Sequence, residues 1–320
     1  DLRMSRGLGD VYKRQVLENS QSVDKRVPHT FITNHRDIVM DSAFLSISLL
    51  DNGFGNTMEI AIGDNLLIRP WIKKLVRVDK AFIVQRSVSL RQMLASSARL
   101  SRYMHYAIAT KHENIWIAQR EGRAKDSNDR TQDSILKMMA MGGEGSIIDR
   151  LKQLNLVPTA LSYEYDPCDY LKAQEFQQKR DIEGFKKSPK DDLVNMQTGI
   201  FGYKGRICFR VAGPLNDWLD TLPADMPKTE LFTAVASRID KEIHRNYKLY
   251  AGNYVAADLL RATKEFAAHY TSEEKTRFEA YLESRLEKVT LPNPDTVFLR
   301  ERLLTMYANP VFNYMAARQE

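Results

Sequence analysis

The stretch Thr33-Asn34-His35-Arg36-Asp37-Ile38-Val39-Met40-Asp41-Ser42 decides how the rest of the chain is read. The apolar run His29-Thr30-Phe31-Ile32 precedes it and reads as a buried strand, and Ala43-Phe44-Leu45 through Leu50 follows and reads as a helix. A strand-to-helix corner carrying Asn, His and two Asp suits a general base, because the imidazole can stand clear of a sheet with a carboxylate behind it. A lone His near an Asp is more often surface decoration, so the corner is weighed with the segments around it.

Strands and helices alternate outward from this corner. After the turn signal Asp51-Asn52-Gly53, residues Asn56 to Ile62 read as a strand. Leu66 through Val76 has helical spacing with Pro70 near its start, and Arg69, Lys73, Lys74 and Arg77 with Trp71 could touch lipid headgroups, although a solvated basic face is the commoner fate of such a set. Ala81-Phe82-Ile83-Val84 is a strand that delivers Gln85-Arg86 to its carboxyl end, before a helix from about Leu90 to Thr110. Ile115-Trp116-Ile117-Ala118 is another, ending in Gln119-Arg120-Glu121-Gly122-Arg123-Ala124-Lys125. Ligands of α/β sheets gather outside the carboxyl ends of strands, which is the right address for cations that hold a phosphate.

Short helices are expected at Ile135 to Met141 and Ser146 to Leu154, then a strand at Leu156 to Tyr163 whose Pro158 suggests an edge strand or one that lacks a ladder bond. Asp166 to Gln197 reads as a polar excursion holding one helix, and Gly199 to Tyr203 with Arg206 to Val211 as a hairpin. Beyond Pro214 helices are expected at Lys228 to Tyr247, Tyr254 to Tyr270, Ser272 to Val289 and Asp295 to Met306, without the sustained heptads of a coiled coil. Val16 to Arg26 reads as the end of a helix. The pattern gives an α/β fold, a mixed central sheet flanked by helices over residues 16–215, with a helical extension over 216–320.

Apolar content of 43% with 28% charged residues is ordinary for a globular protein. Residues 1–15 resemble translated sequencing-adapter sequence, ending Val-Tyr-Lys-Arg-Gln, and are left out of the fold; they carry a net +2 of the formal +6, leaving +4. A mildly basic protein suits anionic phosphate substrates or an anionic membrane surface. No run approaches the roughly 18 apolar residues of a membrane span. Cys168 and Cys208 lack metal-ligand spacing and read as reduced thiols in a cytosolic setting, with no metal implied. Nucleic-acid binding finds no basic helix or aromatic platform.

Four segments in order, at the His35 corner, Ala81 to Arg86, Glu121 to Lys125 and Leu156 to Tyr165, resemble the four blocks of the glycerolipid acyltransferase superfamily, the glycerol-3-phosphate and lysophosphatidate acyltransferases. The resemblance implies a glycerol-3-phosphate acyltransferase-like fold. It implies an O-acyltransferase of phospholipid biosynthesis that moves a fatty acyl group from acyl-CoA or acyl carrier protein to glycerol 3-phosphate or 1-acylglycerol 3-phosphate, with no resident cofactor. It implies catalysis by His35 and an Asp, a substrate-phosphate site drawn from Arg86, Glu121, Gly122, Arg123 and Lys125, acyl-donor contact by the fourth block, and a cytoplasmic place on the inner face of a membrane as a peripheral protein.

The sequence departs from the family pattern in three places. Lys80 stands where the second block has Gly, and the third block matches either on Glu121-Gly122 or on Arg123 and Lys125 but not on both. The family has four residues between His and Asp, whereas five separate His35 from Asp41. On a regular helix a carboxylate at i+6 lies about 240° from the His, against about 40° at i+4. Either the corner holds one extra residue before the helix and Asp41 is the partner, which is preferred, or Asp37 is. The competing readings are an acyltransferase for an amine or lysolipid acceptor, and a catalytically inactive membrane-associated protein with the His and Asp out of register.

Overall fold

In the computed structural model, which describes residues 15–64, 67, 74, 77, 80–84 and 90–319, seven strands form one sheet. They are β1 (Gln15–Glu18), β2 (Thr30–Thr33), β3 (Glu59–Gly63), β4 (Ala81–Val84), β5 (Ile115–Ala118), β6 (Leu156–Tyr163) and β7 (Ile207–Val211), in the order β1-β7-β6-β2-β5-β3-β4. All neighbours are parallel except β6 and β7, so the sheet is mixed, and helices cover both faces. The helices are α1 (Met40–Asp51), α2 (Leu90–Ala109), α3 (Asp133–Met139), α4 (Ile147–Gln153), α5 (Asp169–Asp181), α6 (Pro189–Phe201), α7 (Asn216–Leu219), α8 (Lys228–Arg245), α9 (Ala251–Arg261), α10 (Ser272–Leu286) and α11 (Thr296–Gln319). This is the α/β class expected, with its C-terminal helices.

Alternation along the strands divides the core. Phe31, Trp116, Val157 and Phe209 face α1, while Ile32, Ile117, Leu156 and Ala160 face the layer that includes α2, α3 and α8. A third apolar cluster joins Ala173 of α5 to α9, α10 and α11. Each fully buried Leu, Ile or Phe here contributes about 1.5–3 kcal/mol over an exposed one.

Several elements differ from the sequence expectation. Residues 15–18 form the edge strand β1, not a helix end, and Gln15, expected outside the fold, pairs with Ile207. Leu17 is buried and Val16 is exposed, the alternation of a strand with one wet face, too short to register as a pattern. β6 is central, between β7 and β2, so of the two readings of Pro158 the edge fails and the missing ladder bond holds. Pro158 lies just beyond the paired residues of β7, where its carbonyl accepts from the Ala212 N–H. Its missing N–H would have met the Ala212 carbonyl, and the Ser22 hydroxyl donates there instead, at 3.1 Å.

The expected hairpin strand at 199–203 is instead the end of α6 and the turn after it. The signals for that helix were present: Pro189 at its first turn and a capping box in which Ser188 and Asp191 exchange hydrogen bonds. The polar excursion therefore holds two helices, α5 and α6. Of the expected helix from Tyr254 to Tyr270, α9 ends at Arg261, because Ala262 turns left-handed at φ 53° and Asp258 gathers the hydroxyls of Thr263 and Tyr270 and the N–H of Phe266. α11, expected to stop at Met306, continues through Pro310 to Gln319. The expected helix at 66–76 falls mostly outside the described residues, Trp71 included; Lys74 and Arg77 are helical and exposed.

Candidate active site

Because β2 is parallel to both of its neighbours, with Thr33 level with Ala118 and Thr159, three corners open at one edge of the sheet. His35 follows β2, the Glu121–Lys125 turn follows β5, and Tyr163 ends β6.

Residues 34–39 are not helical, and α1 begins at Met40. The five intervening residues therefore do not rotate Asp41 away from His35 as a continuous helix would. The His35 imidazole sits 2.8 Å from Asp41 Oδ2 through Nδ1. The same Oδ2 accepts the backbone N–H groups of Arg36 at 2.7 Å and Asp37 at 3.0 Å, and the Tyr163 hydroxyl donates to Oδ1 at 2.8 Å. Asp41 is 1% exposed, so these four donors replace water around the carboxylate. Asp37 does other work: its Oδ1 accepts the N–H groups of Val39 and Met40 and starts the helix. Burial, with the Asp41 charge beside it, pushes the Asp37 carboxyl above its ordinary value.

His35 and Trp116 pack edge to face, with centroids 5.5 Å apart and ring planes 65° apart, and the Trp116 N–H donates to Thr33 Oγ1 at 3.1 Å. Among the described residues the other ring nitrogen, Nε2, has no hydrogen-bond partner. A neutral imidazole with Nδ1–H on a buried carboxylate carries its lone pair on Nε2, which is the form that takes a proton from a hydroxyl.

Long-range contacts fix the corner. Arg36 pairs through its two terminal guanidinium nitrogens with Asp129, at 3.1 and 2.6 Å, and Tyr247 donates to Asp129 at 2.7 Å. Lys172 pairs with Asp166 and donates to the Arg36 carbonyl at 3.1 Å. Removing one partner of such a buried pair costs about 3–5 kcal/mol. α6 closes over the corner: Gly199 lies against Asp37 so tightly that a Cβ there would come within 2.1 Å of its Oδ2, and the buried Lys204 donates to the carbonyls of Gly199 and Gly202. Burial pushes the Lys204 ammonium down, opposed by Asp37.

The expected phosphate residues are distributed unevenly. Arg86 lies outside the described residues. Glu121 is exposed, its N–H donating to Gln132 Oε1 at 2.7 Å, and Gly122 takes φ +70°, a conformation that favours glycine. Arg123 donates through Nη2 to Asn195 of α6 at 3.2 Å, while its buried Nη1 has no partner among the described residues. Lys125 is paired with Glu175, whose carboxylate also serves Lys179 and Lys187. Burial and those two like charges push Lys125 down. Beside the turn lies a largely apolar groove of about 210 Å³, lined by Val84, Leu100, Ile117, Arg120, Glu121 and Met138 among others.

Sequence reasoning missed Tyr163, Trp116, the Arg36–Asp129 pair and Lys204 as parts of the site. Tyr163 lies within the fourth block, for which the resemblance implies contact with the acyl donor and not a hydrogen bond to Asp41. No signal in the sequence pairs Arg36 with a residue 93 positions away. Among the described residues no cluster of three or more His, Cys, Asp or Glu is placed to hold a metal, and no helix is long and apolar enough to cross a membrane.

No protein-family model matches the chain, and no curated protein sequence does. Among solved structures, the chain is similar to the crystal structure of the 1-acyl-sn-glycerophosphate (LPA) acyltransferase PlsC from Thermotoga maritima, at 11% identity and a TM-score of 0.43, over 77% of this chain and 78% of that one.

Proposed function

We propose that the protein is a glycerolipid O-acyltransferase, moving a fatty acyl group from acyl-CoA or acyl carrier protein to glycerol 3-phosphate or its 1-acyl derivative. The observation that carries the reading is the 2.8 Å contact of His35 Nδ1 with the buried Asp41, which leaves Nε2 to act at the carboxyl edge of the sheet. In this reading His35 Nε2 takes the proton of the acceptor hydroxyl as its oxygen attacks the thioester carbonyl. The tetrahedral adduct then collapses, the C–S bond breaks, and the imidazolium returns the proton to the departing thiolate. Asp41 holds the tautomer and stabilises the imidazolium, as in a catalytic triad with the substrate hydroxyl in place of Ser. No acyl-enzyme and no resident cofactor are needed.

Arg123, with one guanidinium nitrogen unengaged, and Arg86 and Lys125 are proposed to hold the acceptor phosphate, with Glu121 and Gly122 forming the turn that presents them. That contact contributes through orientation of the hydroxyl. The amphiphilic product of this reading and the net positive charge support action at an anionic membrane face from the cytoplasmic side without crossing it. The 2.8 Å contact of His35 with Asp41 supports this reading over that of an inactive protein with the two residues out of register.

The test is transfer of a radiolabelled acyl group by purified protein, offering glycerol 3-phosphate and lysophosphatidate each with acyl-CoA and acyl carrier protein. Label in lysophosphatidate or phosphatidate is expected from at least one combination. No product from any of them contradicts the reading.

A further inference from the structure

The two oxygens of Asp41 are held differently. Oδ2 serves His35 and two backbone N–H groups, whereas Oδ1 has, among the described residues, only the Tyr163 hydroxyl. Tyr163 is itself 7% exposed and stands at the carboxyl end of β6, where it pairs with Ile207 of β7. Burial and the carboxylates of Asp41 and Asp37 push the phenol far above its ordinary value, so it donates at every working pH.

We propose that Tyr163 is a positioning residue: by donating to Asp41 Oδ1 it fixes the carboxylate and moderates how strongly Asp41 holds a proton on His35, completing a hydrogen-bonded chain His35–Asp41–Tyr163. A carboxylate that shares its charge with a second donor is a weaker acceptor for the imidazole. Removing the phenolic O–H concentrates that charge toward Oδ2 and stabilises the imidazolium. The other charges around the pair are Asp37 at the same corner, Lys204 before β7, Arg36 on Asp129, and Asp166 on Lys172. Tyr163→Phe changes the charge of none of them.

The consequence for catalysis rests on the acyl-transfer reading; the effect on the ring does not. The experiment is therefore an NMR titration of the His35 imidazole in the intact protein, assigned by loss of its signal in His35→Gln, with the other five histidines as internal controls. In Tyr163→Phe the His35 midpoint should rise by about 0.5–1 pH unit, a roughly three- to ten-fold gain in proton affinity. Incorporating 3-fluorotyrosine at 163, a stronger donor that keeps the shape, should lower the midpoint, and it supplies the test if the Phe variant does not fold. A His35 midpoint unmoved by either change, or moved equally with the other histidines, overturns the proposal. Where acyl transfer is measurable, the acid limb of kcat/KM should move with the NMR midpoint. A protein that shows the ring shift without acyl transfer would keep this inference and lose the proposed function.

Discussion

Replacing Asp41 with Asn keeps the size of the side chain and removes its charge, and the geometry says which way the amide turns. At Oδ2 three donors converge, from His35, Arg36 and Asp37, and at Oδ1 there is one, the Tyr163 hydroxyl. An amide NH2 facing three donors would be repelled, whereas facing Tyr163 it meets a hydroxyl that can also accept. The amide oxygen therefore takes the Oδ2 place, and His35 keeps Nδ1–H and its lone pair on Nε2. What is lost is the charge that stabilises the imidazolium. A hydrogen bond to a charged group contributes about 1.5–3 kcal/mol, so kcat should fall roughly 10- to 150-fold. That is less than the roughly 10⁴-fold of a Ser-His-Asp triad whose Asn substitution reverses the tautomer. Asp37→Asn should stay within a few-fold of wild type, because an Asn oxygen also accepts from Val39 and Met40. Initial rates of acyl transfer, with melting curves to confirm folding, decide the matter. If Asp37→Asn abolishes turnover and Asp41→Asn spares it, the assignment of the two carboxylates is wrong.

Three further outcomes are expected. Gly199→Ala places a Cβ 2.1 Å from Asp37 Oδ2 and should destabilise the protein by about 1–3 kcal/mol in a thermal melt; an unchanged Tm would show that α6 does not press on the corner. Burial raises the Asp240 carboxyl from 3.8 to about 6, so the stability that this group's protonation contributes is fully present below the ordinary value and is lost as pH rises through about 6. Asp240→Asn, which can still accept from Thr131, should match wild type near pH 4 and exceed it by about 1–3 kcal/mol at pH 7, read by denaturant titration at both pH values. Arg123→Lys should raise KM for glycerol 3-phosphate, a loss on the order of 1.5–3 kcal/mol, and leave the donor KM alone; a rise in the donor KM instead would mean that this residue serves coenzyme A.

How much of this was legible in the sequence depended on the range of the contacts involved. Ile115–Ala118 and Ala81–Val84 appear as strands at the expected residues because an apolar run between polar ends is a local signal. β1 did not show, since four residues with one buried side chain make no pattern until β7 lies beside them. Pro158 suggested either an edge or a missing ladder bond, and what decides between them and satisfies the freed carbonyl involves β7 and Ser22, both far away in sequence. At the site His35 was legible from its corner, but a spacing of six could not say where α1 begins, and that start is what lets Asp41 reach the ring. Tyr163 meets Asp41 across 122 positions, a relation that no local pattern holds.

The central claim, that His35 removes the proton of an acceptor hydroxyl, is tested most directly by His35→Ala in the acyl-transfer assay. With the ring gone, Asp41 keeps its two backbone donors and Tyr163, so the fold should survive. Transfer should fall by at least the roughly 10²-fold that a positioned proton acceptor contributes, with the melting curve near that of wild type. Near wild-type turnover in a folded His35→Ala protein would contradict the account.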